Sequence, residues 1–165
     1  GSDVKTGVEY RAFIAENPDI AEKTVYTGAI DEFFDYQLGH LQYRTVRFED
    51  EVLDTDNWQG VAVVNYTGDT EAFTRIIEHK HFTFMQGQNP DKTVISREYP
   101  TEWTLGMEPY YPVNDKRNSA LFAQYQEMAK TRHDVIFGGR LGNYRYYDMD
   151  KVIRAALDAV KAEKA

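Results

Sequence analysis

Arginines near predicted strand ends, with tyrosines close by, are the residues of this chain best suited to bind a pyrophosphate. They fall in three short segments, residues 42–45, 74–77 and 96–99. A guanidinium offers paired donors to phosphate oxygens, and a phenol adds a neutral donor. An arginine on a strand of an acidic protein is also commonly a solvated partner of Asp or Glu. The segments therefore indicate a candidate anion site, with surface ion pairing as the alternative.

Two histidines, His79 and His81, lie two positions apart in a predicted strand, residues 74–84. Side chains alternate along a strand, so both histidines are expected on the same face as Arg75 and Ile77. Two histidines with this spacing can hold zinc, but the sequence has no third ligand at suitable spacing. We therefore expect hydrogen-bonded histidines and no metal site.

Tyrosine is dense in two further segments, residues 110–114 and 144–148. Buried tyrosines with a satisfied hydroxyl are common, so core packing competes with a binding role for each ring. Asp148 precedes a predicted helix, where capping is the alternative to chemistry. None of the three serines lies in a nucleophile-elbow motif, so the sequence gives no support to a nucleophilic triad.

Residues 138–142, Gly-Gly-Arg-Leu-Gly, follow a predicted strand in the manner of a dinucleotide-binding loop. The match fails because Phe137 stands at the place of the first glycine and the next helix is expected only several residues later. A G-x-G-x-x-G sequence is absent elsewhere in the chain. We therefore expect a tight strand exit here, and no flavin-pyrophosphate turn from this chain.

The elements that position these residues change type along the chain. Short β-branched runs at 4–6 and 24–27 predict strands, and residues 30–36 predict a helical turn. Four extended segments separated by polar turns then cover 43–52, 60–67, 74–84 and 93–99. Consecutive strands joined in this way predict an antiparallel meander.

The last third of the chain predicts helix, strand and helix. Residues 114–130 carry an apolar stripe with helical spacing, and Asn114 or Asp115 is available as N-cap. Residues 134–137 predict a short buried strand, and a final amphipathic helix follows Asp148. The two ends of the chain are therefore expected to belong to an α/β layer, and the middle to a separate antiparallel layer.

The composition excludes several classes of function. A net charge of -8 and a pI near 5.0 argue against a nucleic-acid or membrane-surface binder. The absence of cysteine excludes disulfide scaffolds and thiolate chemistry, and a reducing cytoplasm is the default location. The apolar runs are too short to span a bilayer. Gly1 and Ser2 are typical of residues left by tag removal, so we expect the natural protein to begin earlier.

At these same segments the chain resembles the bacterial UDP-galactopyranose mutases. The motifs follow the family's signature in order: Tyr-Thr-Gly-Ala-Ile-Asp at 26–31, Phe-Asp-Tyr at 34–36, residues 39–44, Thr-Arg-Ile-Ile-Glu-His-Lys-His-Phe at 74–82, Glu-Tyr-Pro at 98–100, Glu-Pro-Tyr-Tyr-Pro-Val-Asn-Asp at 108–115, Phe-Gly-Gly-Arg-Leu at 137–141, Tyr144, and Tyr-Tyr-Asp-Met at 146–149. No single motif carries the resemblance; the ordered set does.

The resemblance implies an isomerase that interconverts UDP-galactopyranose and UDP-galactofuranose on reduced FAD, for galactofuranose-containing cell-surface glycans. Flavin N5 attacks the anomeric carbon, and the protein orients the partners and neutralises the pyrophosphate. The implied catalytic residues are Arg44, Arg75, Tyr146 and Asp148. The implied UDP-galactose-binding residues are Arg44, Arg75, Tyr111 and Tyr146. The implied flavin contacts are Arg75, Arg140 and Asp148.

The resemblance also implies how the chain is divided. Residues 1–36 are expected to be a partial segment of the FAD-binding domain, 37–108 the antiparallel-sheet substrate-binding domain, and 109–165 the C-terminal segment of the FAD-binding domain. The expected fold class is α+β: an antiparallel sheet of about four to six strands with flanking helices, plus terminal strand and helix pieces of a Rossmann-like α/β domain.

The chain departs from the family at two places. It has no N-terminal βαβ unit with the glycine fingerprint, and no helical region with the mobile loop that delivers another arginine. Because of these departures, we expect this chain alone to be inactive, to bind FAD weakly or not at all, and to self-associate through an uncovered surface. The parent enzyme is expected to be a cytoplasmic homodimer. Two alternatives are a nucleotide-sugar-binding or lectin-like module and the tail of an amine-oxidase-type flavoprotein.

Overall fold

The computed structural model describes residues 1–82 and 91–164. In chain order its elements are α1 (Tyr10–Glu16), β1 (Thr24–Tyr26), α2 (Ile30–Phe33), β2 (Tyr43–Leu53), β3 (Val63–Asn65), β4 (Arg75–Glu78), a 3₁₀ turn (His79–His81), β5 (Thr93–Glu102), β6 (Tyr111–Pro112), α3 (Lys116–Ala129), β7 (Val135–Phe137), α4 (Gly139–Gly142) and α5 (Met149–Glu163). They form two units, Gly1–His40 with Lys116–Ala165, and Leu41–Asp115. The predicted α+β fold class is confirmed. The assignment of flavin and substrate domains stays a prediction.

A five-stranded antiparallel sheet with strand order β3-β4-β5-β2-β6 organises the unit Leu41–Asp115. β2 pairs with β5 from Arg44 opposite Glu102 to Leu53 opposite Thr93. The predicted meander is wrong in one connection, because β2 is bonded to β5 and β6 and not to the next strand, β3. β5, with ten residues, can pair along nearly the whole length of β2, which has eleven residues. β3 has only three residues and offers fewer backbone partners.

The two faces of this sheet have different surroundings, because side chains alternate along each strand. The residues buried on one face are Tyr43, Thr45, Ile76, Glu78, Thr93 and Ile95. The opposite face is more open and exposes the apolar side chains of Phe48, Val52 and Val94. One side of the sheet therefore holds the core of this unit, and the other is accessible.

Strand β4 is shorter than the sequence predicts. It ends at Glu78, and a 3₁₀ turn follows in place of the strand expected over residues 74–84. The Phe82 N–H donates to the His79 carbonyl at 3.1 Å and closes the turn. The end of the predicted strand, residues 83 and 84, lies outside the described residues. Because the turn interrupts the alternation of a strand, the expectation that both histidines share one face is wrong.

The other unit contains a two-stranded parallel sheet, with β1 paired to β7 from Thr24 opposite Val135 to Tyr26 opposite Phe137. Aromatic rings pack beside it: the ring centre of Phe33 lies 5.0 Å from that of Tyr26 and 4.9 Å from that of Phe137. These contacts bury apolar area at a place where only two strands are present. These half-buried rings cover the small sheet, and the fully buried core beside them includes Ile30 and Tyr125.

The N-terminal segment differs from its prediction. Residues 4–6 form no strand, and helix α1 begins instead after Glu9, whose carboxylate accepts a hydrogen bond from the Arg11 N–H at 3.0 Å. Tyr10 attaches this helix to the sheet, with its ring centre 5.0 Å from that of Tyr26. Helix α1 was not predicted, because glutamate is not a preferred N-cap and the helix buries no residue.

Strand β7 leaves the sheet by the predicted tight turn. Gly139 has a φ of +72°, and a Cβ at this position would lie 3.4 Å from the Cβ of Thr27. Helix α4 begins at Gly139 itself, so the expectation that no helix begins for several residues is wrong. At Gly142 a Cβ would lie 3.0 Å from the Tyr26 carbonyl oxygen. Glycine thus allows this helix to start directly against the end of β1, the neighbour of β7 in the sheet.

The predicted helices over residues 114–130 and after Asp148 are confirmed as α3 and α5. α5 and the parallel sheet line an apolar groove of about 460 Å³. Four large apolar side chains on α5 remain exposed: Met149, Ile153, Leu157 and Val160. Within the described ranges, none of the helices combines the length and apolar character needed to cross a membrane.

Candidate functional site

Arg44, Arg75 and Tyr111 lie on one face of the five-stranded sheet. Arg44 stands opposite Glu102 on β5 and opposite Tyr111 on β6, and Arg75 stands opposite Glu98 on β5. Directly opposed residues of antiparallel strands point to the same side, and residues four apart on β5 do so too. The pairing therefore places three of the sequence-predicted site residues on the accessible face of this unit.

Arg75 is oriented by a neighbouring carboxylate. Its Nε lies 3.3 Å from Glu98 Oε1, and the Thr74 hydroxyl donates to the same oxygen at 3.1 Å. The side chain of Arg75 is 41% exposed, so the ion pair does not bury the guanidinium. Glu98 thus limits the rotamers of Arg75 and leaves part of its cation open to a ligand.

Arg44 lines a cavity of about 500 Å³ in the same unit. The cavity is lined by Gln42, Tyr43, Arg44, Thr45, Pro100, Thr101, Glu102, Trp103 and Val113. Trp103 forms one wall, fixed by its Nε1–H, which donates to the Met107 carbonyl at 2.8 Å. Its ring packs edge-on against Tyr43, with ring centres 5.2 Å apart. Trp103 was not a predicted site residue, because it follows the end of β5 and no local pattern indicates a cavity beside it.

Glu78 is a buried carboxylate that sequence analysis also missed. Its oxygens accept from the N–H groups of Trp58 at 3.0 Å and Gln59 at 2.8 Å, and from the Thr93 hydroxyl at 2.8 Å. His81 Nε2 lies 3.0 Å away. Burial alone would raise the pKa of Glu78, but these donors and His81 lower it to about 2. Glu78 lies two residues after Ile76 on the same strand. This spacing could have indicated that its carboxylate is buried on the apolar face.

His79 contacts a different group from His81. Its Nε2 lies 2.6 Å from Ser96 Oγ, and the Ser96 hydroxyl donates to the Asp50 carboxylate. Since Ser96 gives its proton to Asp50, the bond to His79 requires the Nε2–H tautomer. The serine stands in the middle of this chain of groups, so it is not a nucleophile activated by histidine.

The described ranges contain no group of three or more metal-ligating side chains.

In the other unit, Arg140 contacts the segment that carries Tyr146 and Asp148. Arg140 Nε donates to the Tyr147 carbonyl at 2.8 Å, and its guanidinium carbon lies 5.0 Å from the ring centre of Tyr146. Tyr146 is 52% exposed. The structure therefore brings Arg140 and Tyr146 together, as a stacked pair at an accessible surface.

Asp148 occupies the N-cap position of α5, but its side chain makes no capping hydrogen bond. The prediction that Asp148 is the N-cap residue of this helix is therefore confirmed by position, and its backbone carbonyl accepts from the Val152 N–H at 3.0 Å. Its backbone φ of -71° and ψ of 163° is ordinary for an N-cap residue. The carboxylate is exposed beside the first turn of a 15-residue helix. The functional roles that the resemblance implies stay predictions for all six site residues: Arg44, Arg75, Tyr111, Arg140, Tyr146 and Asp148.

The family model for UDP-galactopyranose mutase matches residues 2–146. The chain is 38% identical over 152 residues to a UDP-galactopyranose mutase of Mycoplasma pneumoniae. The aligned residues make up 90% of this chain and 37% of that protein. A UDP-galactopyranose mutase of Mycoplasma genitalium is 37% identical over 142 residues, 83% of this chain and 35% of that protein. A dTDP-fucopyranose mutase of Escherichia coli is 36% identical over 136 residues, 82% and 36% of the two chains.

Replacing Glu78 with Gln is expected to lower the free energy of unfolding by about 2 to 3 kcal/mol at neutral pH, because buried backbone donors lose a charged acceptor. The folded pKa of about 2 lies below the ordinary value of 4.5. The stabilisation is therefore complete above the ordinary pKa and is lost as the pH falls toward 2. Urea denaturation between pH 7 and pH 2 measures both effects, with tryptophan fluorescence reporting on this unit, which contains both tryptophans.

The exposed Glu71 provides a matched control, since Glu71→Gln should preserve the wild-type dependence of stability on pH. A Glu78→Gln variant that loses as much stability on acidification as the wild type would contradict the assignment.

Proposed function

Since this chain belongs to the UDP-galactopyranose mutase family, we propose that it is part of a flavin-dependent isomerase that interconverts UDP-galactopyranose and UDP-galactofuranose. The chain spans little more than a third of the curated relatives it matches. The proposed activity is therefore that of a longer polypeptide, to which these residues contribute the C-terminal part. The observation that carries the proposal is the placement of Arg44, Arg75 and Tyr111 on one accessible sheet face.

The diphosphate of the nucleotide sugar is the ligand group that this face fits best. Arg44 is exposed and forms no ion pair within the described part of the chain, so its charge is available. The ion pair with Glu98 partly neutralises the charge of Arg75, but it also fixes the direction of the Arg75 side chain. A planar guanidinium binds phosphate oxygens through paired donors, and the phenol of Tyr111 would add a neutral donor. The chain as a whole is acidic, so these cations supply the attraction locally.

Reduced FAD, when bound, supplies the nucleophilic nitrogen that the proposed reaction needs. In this chain, the residues proposed to contact it are Arg140, Asp148 and Arg75. Asp148 fits a contact with hydroxyl or N–H groups, because its carboxylate is not used as a helix cap. It would repel a phosphate. Asp148 thus fits the uncharged part of a flavin, whereas a glycine-rich pyrophosphate turn is absent from the sequence.

Two nucleotide sugars are candidates for the substrate. One relative at 36% identity is a dTDP-fucopyranose mutase, which differs from the others in both base and sugar. The cavity beside Arg44 and Trp103 is wide enough, at about 500 Å³, to take a sugar or a base. Comparison of UDP-galactose with dTDP-fucose as substrates decides between these two candidates.

In the full-length protein, the substitution Arg75→Ala is expected to lower mutase turnover about 100-fold, because an oriented cation is lost from the phosphate site. Chromatographic measurement of UDP-galactofuranose conversion with reduced FAD gives the rate. Arg97→Ala is the matched control: Arg97 lies on the opposite face of β5, where it pairs with Glu51 at 2.8 Å. Equal turnover in the Arg75 and Arg97 variants would refute the assigned face.

The 165-residue chain alone is expected to retain no FAD through gel filtration and to show no mutase activity, because it lacks the pyrophosphate-binding turn. The absorbance of the protein peak near the flavin bands measures retention. A yellow protein that keeps stoichiometric FAD after filtration would show that these residues bind the cofactor unaided.

A further inference from the structure

One arginine holds the segment between α4 and α5, residues 143–148. Arg140 Nε donates to the Tyr147 carbonyl at 2.8 Å, and the guanidinium stacks on the ring of Tyr146 at 5.0 Å. The backbone closes the same loop, since the Arg145 N–H donates to the Arg140 carbonyl at 2.9 Å. Arg140 therefore contacts three consecutive residues of the segment.

The same segment contains a strained residue. Tyr144 has a φ of +42°, a conformation that residues with a side chain rarely adopt. It is 4% exposed, and its ring centre lies 5.5 Å from that of Phe122. Such a conformation persists only where surrounding contacts hold it. Packing of Tyr144 fixes the start of the segment, and the contacts of Arg140 fix the residues that follow.

The segment leads directly to Asp148, at the N-cap position of α5. No capping bond holds the Asp148 side chain, so the direction of its carboxylate depends on the backbone that precedes it. Tyr146 is more than half exposed and has Arg140 stacked on its ring. The places of both groups are thus set by the conformation of one short loop.

We propose that Arg140 is a positioning residue, which sets the places of Tyr146 and Asp148 by stacking on the first and fixing the Tyr147 carbonyl between them. This inference deepens the proposed function, and it rests on that function for the claim that Tyr146 and Asp148 meet a ligand. Arginine suits the task because its planar guanidinium can cover a ring while Nε–H donates in the plane. A lysine ammonium cannot do both.

Amide hydrogen exchange in the 165-residue chain tests the structural half of the proposal. Arg140→Ala and Arg140→Lys should each raise the exchange rates of the Tyr144 and Arg145 amides about tenfold, because a stacked cation and one hydrogen bond shift a local opening equilibrium by about that factor. Unchanged rates in both variants overturn the proposal. A lysine variant that exchanges like the wild type also overturns it, since charge alone would then suffice.

Arg132→Ala is the matched control. Its guanidinium carbon also lies over an aromatic ring, that of Phe33 at 4.9 Å, but outside the segment, so the exchange rates at Tyr144 and Arg145 should remain at the wild-type level. If Arg140→Ala unfolds the chain, Tyr146→Leu replaces it in the test. That variant removes the ring and keeps the arginine, and an unchanged exchange rate overturns the proposal.

Kinetic measurements on the full-length protein test whether Arg140 affects the proposed reaction. Arg140→Lys should lower kcat about tenfold at saturating FAD, because added cofactor does not restore the placement of Tyr146 and Asp148. Full rescue by excess FAD would assign Arg140 to cofactor binding alone and overturn the positioning role. A wild-type protein without mutase activity would refute the proposed function instead, and the exchange rates would still decide whether Arg140 holds the segment.

Discussion

The pairing of β2 with β5 is the constraint on which the sheet unit depends. It sets Arg44 opposite Glu102, and because β5 also pairs with β4, it places Arg75 on the same face. A slip of one residue would move Arg44 to the buried face and bring Tyr43 out into solvent. Burial of Tyr43 and Ile95 opposes such a slip, since both would lose their apolar surroundings. The packing of one face thus determines which side chains the other face presents.

The sheet uses its charged residues in two ways. Glu78 lies on the buried face, where backbone donors and the Thr93 hydroxyl satisfy its charge and keep its pKa near 2. Arg75, three residues earlier on the same strand, lies on the open face beside Glu98. The buried carboxylate ties the end of β4 to the turn at residues 58–60, and so fixes the strand that carries the exposed cation. A structural charge and a proposed binding charge therefore belong to one strand.

The sequence was sufficient to predict the long elements. The extended pattern of β2 and β5 and the apolar stripes of α3 and α5 each repeat often enough to identify the element. The strands β3 and β4 were predicted too long, because their ends depend on contacts that are distant in sequence, such as those of Glu78 with Trp58. Helix α1 was missed because it has only seven residues, too few for the helical spacing of Tyr10, Phe13 and Ile14 to repeat.

The candidate site was predictable as a set of residues and not as an arrangement. The types and motif order of Arg44, Arg75 and Tyr111 could be recognised, but their common face follows from a pairing between β2 and β5 that no local pattern encodes. The contact of Arg140 with Tyr146 likewise depends on the path of a strained loop. Glycine spacing led to a correct turn and a wrong helix start, because α4 begins at a glycine with positive φ.

Binding of a diphosphate to the open face of the sheet can be followed at the arginine side chains themselves. Nuclear magnetic resonance of the Nε–H groups in the 165-residue chain, during titration with UDP, observes both faces at once. If the open face binds the diphosphate, saturable shifts are expected at Arg44 and Arg75 and none at Arg47 and Arg97, which lie on the opposite face. Shifts confined to Arg47 and Arg97, or none at Arg44 and Arg75, would contradict it.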